Sequence, residues 1–113
     1  YRCVIIRGQS SKKALAFAVV KEHDGSQLLM DLICPVAVMK SAISILKQEL
    51  GTGEGGAILR LWVTSSGKDK VLTAGAIVNE LGIEIPCNSW NPGPNAAVLY
   101  GAWWLTAGDM DFI

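Results

Sequence analysis

The stretch PVAVMKSAISILKQELG, residues 35–51, decides the fold class. Val36, Met39, Ala42, Ile43, Leu46 and Leu50 recur at spacings of three and four, while Lys40, Ser41, Ser44, Lys47 and Gln48 take the opposite side. That pattern is an amphipathic helix with one apolar stripe, which must be buried against another element. Pro35 suits the first turn, because its fixed φ is helical and its missing N–H would have no partner there. Gly51 stops the helix.

The chain on either side of this helix has strand periodicity. Residues 2–7 (RCVIIR) are short and β-branched. GQSSKK at 8–13 is polar and turns the chain. Residues 14–21 alternate large and small, with Leu15, Phe17 and Val19 on one side and Ala14, Ala16 and Ala18 on the other. This pattern predicts a strand covered on both faces, its alanine side admitting a helix at close range. Asp24-Gly25 within 23–26 is a tight hairpin signal, and 28–33 is the returning strand. After the helix, residues 51–56 (GTGEGG) form a loop leading into a strand over 57–64. In that strand Leu59, Leu61 and Val63 form a purely apolar side, opposite Ile58, Arg60, Trp62 and Thr64. Residues 65–70 are polar and read as a surface turn. A short helix follows over 71–81, with Thr73 as N-cap and Gly82 as its stop, although Gly75 weakens it. Residues 83–86 and 96–106 read as two further strands, separated by an irregular Trp- and Pro-containing segment, 88–95.

The order βββαβ(α)ββ defines an α+β domain spanning 1–113, without repeat or linker. The expectation is a mainly antiparallel sheet of about five to six strands, covered on one face by one long and one short helix. A chain of 113 residues matches a single domain.

Half of the residues are apolar and 18% are charged, against about 25% charged in a typical globular domain. A small domain with this composition leaves apolar surface facing water or a partner. The first residue, Tyr1, suits a processed or excised fragment. Net charge is zero but segregated. All ten Lys and Arg lie in residues 1–70 with six acids, a balance of +4; residues 71–113 hold four acids and no base, a balance of −4. Three of the four tryptophans also lie in that acidic part. A basic surface of one copy meeting the acidic end of the next is one reading; neutralisation within one fold is the other.

Catalytic motifs are missing. The glycines at 51–56 resemble a nucleotide-binding loop, but a helix precedes them, a strand follows, and Glu54 would repel an anion. Gly67-Lys68 lacks the remainder of a P-loop. His23, the one histidine, falls in a hairpin turn, and no Gly-x-Ser-x-Gly elbow is present. Cys3, Cys34 and Cys87 are unclustered and read as reduced thiols of a cytoplasmic protein. The carboxylate pairs Glu80/Glu84 and Asp109/Asp111 lack the further ligands a cation needs. The expectation is no catalytic residue, no cofactor and no metal. No apolar run is long enough to span a bilayer.

The leading reading is therefore a non-catalytic self-association or protein-interaction module, a component of a viral or other large assembly. Trp90, Pro92, Trp103 and Trp104 would anchor its contacts as a homo-oligomer or with a protein partner. A second reading is a binder of single-stranded nucleic acid that uses Arg60, Trp62, Lys68 and Lys70; zero net charge weighs against it. A third is a small enzyme or ligand-binding subunit whose site forms only between chains.

Overall fold

In the computed structural model, residues 1–51, 58–65, 67–73 and 75–82 are described. The elements run β1 (Arg2–Arg7), β2 (Ala14–His23), β3 (Ser26–Ile33), α1 (Val36–Leu50), β4 (Leu59–Leu61) and α2 (Lys68–Val71). The four strands form one mixed sheet in the order β1-β2-β3-β4. The first two pairings are antiparallel and the third, β3 with β4, is parallel. A parallel pair requires a crossover, and α1 supplies it.

The β2–β3 turn is two residues long. His23 pairs with Ser26, and Asp24 and Gly25 both have positive φ, 48° and 67°. Two successive left-handed residues define the hairpin turn whose twist matches the strands. Ser26 Oγ closes the corner by donating to the His23 carbonyl at 2.7 Å. The β1–β2 connection is tied by Gly8 N–H to the Lys13 carbonyl and Lys12 N–H to the Gly8 carbonyl, both 3.0 Å.

The core lies between the sheet and α1. Met39, Ala42, Ile43, Leu46 and Leu50 of the helix are buried, in one cluster with Ile6, Ala16, Ala18, Val20, Leu29 and Val71. The expected alanine side of β2 is the side under this core, and Ala18 there is completely inaccessible. Short side chains at 16 and 18 let the helix approach the sheet. Leu59, Leu61 and Val63 pack against the same cluster, as their alternation requires. Val36 departs from the expected stripe. It is exposed, because it sits at the first helical position, before the helix has fully met the sheet.

The sheet has four strands among the described residues, fewer than the five to six expected. The two additional strands, 83–86 and 96–106, fall outside the described residues. The strand expected over 57–64 is shorter, Leu59–Leu61. The helix expected over 71–81 lies earlier, at Lys68–Val71. Leu72 turns extended with ψ 123°, and Gly75 and Gly82 take φ of +77° and +65°. Those glycine conformations cannot propagate a right-handed helix.

Candidate interaction surface

Strand register assigns each side chain to a face. Cys3 pairs with Val19 and Ile5 with Phe17, whereas Val4 pairs with Ala18 and Ile6 with Ala16. Directly opposed residues in an antiparallel pair share a face. Cys3, Ile5, Phe17 and Val19 therefore lie on the side away from α1. Lys21, Leu28 and Arg60 continue this side across the sheet, since Lys21 pairs with Leu28 and Leu28 with Arg60. Tyr1 joins it through the Lys21 ammonium, which stands 5.7 Å from the ring centroid, within cation–π range.

The two halves of this second face differ. On the β3–β4 half, Leu28 and Met30 are buried, with Val19 and Trp62 packed against them. A bulge helps: Val19 pairs with Asp31 and Val20 with Leu29, which leaves Met30 as the extra residue. On the β1–β2 half, Ile5 is 51% exposed and Tyr1 80% exposed. Cys3 is exposed as well. Leu15, the extra residue where Ile6 pairs with Ala16 but Arg7 with Ala14, is also exposed. Ile33 adds a further exposed apolar side chain at the end of β3.

β1 is an edge strand, paired only with β2 among the described residues. Natural edges are blunted by shortness, proline, strong bulges or charges. The other edge, β4, is short, at three residues, and has Arg60 at its centre. β1 has six residues, no proline, and charges only at its ends, Arg2 and Arg7. Its four central residues are apolar. The β1–β2 hairpin is also a concentrated positive field: residues 1–21 contain Arg2, Arg7, Lys12, Lys13 and Lys21 and no carboxylate. Arg7 Nη1 donates to the Lys12 carbonyl at 3.2 Å and links the strand to its turn.

The residues expected to carry function divide into two groups. Trp90, Pro92, Trp103 and Trp104 lie outside the described residues. Arg60 is exposed on β4 and Lys68 and Lys70 are exposed on α2, while Trp62 is half-buried against Leu28 and Met30. Sequence reasoning passed over the β1 edge. The signal for it was present in Cys3-Val4-Ile5-Ile6, apolar on both faces of a strand at the start of the order, together with the absence of acids before Glu22.

Chemistry-bearing groups are scattered. His23 Nε2 lies 3.4 Å from Asp24 Oδ2 in the exposed hairpin turn. Burial pushes the Cys34 thiol above its ordinary pKa, which makes it a weaker nucleophile at neutral pH. No group of three or more His, Cys, Asp or Glu among the described residues is placed to hold a metal. An open depression of about 370 Å³ between α1 and the segment after α2 is lined by Ser44, Lys47, Gln48 and Thr73. Among the described residues, no helix is long and apolar enough to cross a membrane. No family model matches the chain, nor does any curated protein or solved structure.

Proposed function

We propose that the chain is a non-catalytic self-association module, a building unit of a larger assembly. The β1–β2 hairpin carries this reading: it joins a strand edge unpaired among the described residues to an exposed apolar face and five bases, against one acid, Glu22. A strand edge offers a row of backbone donors and acceptors to a second chain, and apolar side chains beside it provide the buried area that stabilises the contact. The acid-bearing, base-free part from residue 71 onward supplies the complementary charge within the same sequence. An intracellular, reducing setting suits the free thiols of Cys3 and Cys34.

Light scattering of the purified chain against concentration and salt tests the reading. The expected result is a molar mass that rises with concentration and falls as salt screens the contact. A mass that stays at one chain throughout would contradict it.

A further inference from the structure

Among the described residues, 76–81 is a second unusual surface. It carries no helix or strand, yet its apolar side chains face solvent: Ile77 is 88% exposed, Val78 55% and Leu81 60%. Gly75 and Gly82 bracket it with positive φ, and the Ala76 N–H closes the preceding turn on the Thr73 carbonyl at 3.1 Å. Ile and Val favour extended backbone. Glu80 is its one charged residue. Three large apolar side chains close together in water offer area that a contact would bury.

The two surfaces are complementary. The arm has six residues, Ala76 to Leu81, and so has the β1 edge; an extended segment of that length spans about 20 Å. The edge is flanked by Arg2 and Arg7 in a hairpin with five bases and one acid, Glu22, and the arm brings Glu80 within a base-free region. We infer that the Ala76–Leu81 arm of one copy adds as a strand to the β1 edge of a second copy, with Glu80 meeting the β1 arginines. This rests on the self-association reading and names the two surfaces it uses. Edge and arm are different patches, so the contact is head-to-tail. Such a contact closes as a dimer when two copies exchange arms reciprocally, and otherwise continues into rings or filaments. Ile77, Val78 and Leu81 would gain cover from the exposed side chains beside β1, and the arm's backbone would gain the strand's outward donors and acceptors.

Charge exchange in the full-length chain tests the inference, read by sedimentation velocity, with circular dichroism to establish that each variant is folded. Glu80→Lys makes both surfaces basic, and the double variant Arg2→Glu/Arg7→Glu makes both acidic. Each alone is expected to weaken association by about tenfold, since like charges oppose at the contact. An equimolar mixture restores both contacts and is expected to reassemble with alternating copies. If the wild type associates but either variant associates equally well, or the mixture fails to recover, the inference falls while the self-association reading stands. If the wild type is monomeric at every concentration, both fall. Monomeric wild type that binds a single-stranded oligonucleotide through Arg2 and Arg7 overturns the inference in favour of a nucleic-acid partner.

Discussion

Ala18 shows most directly how one residue sets the architecture. It has no accessible surface and lies where α1 crosses β2. Ala18→Leu adds three heavy atoms where neither sheet nor helix can yield, and is expected to cost about 1–3 kcal/mol. Its counterpart on the helix is Leu46, one of the two large side chains that are essentially inaccessible. Leu46→Ala removes most of its contacts and leaves a cavity, with an expected loss of about 2–5 kcal/mol. Denaturant unfolding checks both: the midpoint drops while the slope is retained. Gly25 acts through its backbone. At φ +67° nothing lies within 4 Å of an added Cβ, so Gly25→Ala is expected to cost about 1 kcal/mol from conformation alone. A larger loss would mean that the turn does more than reverse the chain. The two described thiols also separate at this scale. Cys3 is exposed, whereas burial raises the Cys34 pKa. Since the thiolate is the reacting form, Cys3 is expected to alkylate faster near neutral pH, and Cys34 to respond only as pH rises. Peptide mapping after brief iodoacetamide treatment reads the order, and equal rates would contradict the assigned burial.

At the scale of elements, α1 and the first three strands were legible because each carries its own periodicity. The helix stripe, the alternation of Phe17 and Val19 with Ala16 and Ala18, and the Asp24-Gly25 turn agree with one another and with a single layer of helix on sheet. Two features were not legible. The parallel pairing of β4 to β3 depends on where a three-residue strand comes to lie after the crossover, and nothing in Leu59-Arg60-Leu61 specifies its direction. The helix expected over 71–81 failed because apolar spacing at Val71, Ile77, Val78 and Leu81 resembles a stripe, while Gly75 holds a left-handed conformation that interrupts it. The same conformation leaves 76–81 outside any helix. The candidate surface was read only in outline: charge segregation was evident, but the exposure of Ile5 and the edge position of β1 among the described strands arise from strand order. Ile5→Lys places a charge on the exposed face without disturbing α1. Association is expected to weaken by about tenfold, because a charge would enter the buried contact, with thermal stability within about 0.5 kcal/mol of the wild type. Sedimentation and thermal unfolding together distinguish this outcome from simple destabilisation.

For the molecule as a whole, zero net charge conceals a dipole along the chain: +4 over residues 1–70 and −4 beyond. Opposite charge in different parts of one sequence favours contact between copies, and salt opposes it. The central claim is that a second chain covers the β1 edge. Amide hydrogen exchange of Arg2–Arg7 as a function of protein concentration tests it most directly, because outward-facing amides of an edge strand have no partner within the sheet. The account predicts that part of the β1 amides exchange rapidly in dilute solution and become protected as concentration rises, in step with Ala76–Leu81. Exchange in both segments that does not change with concentration would contradict it.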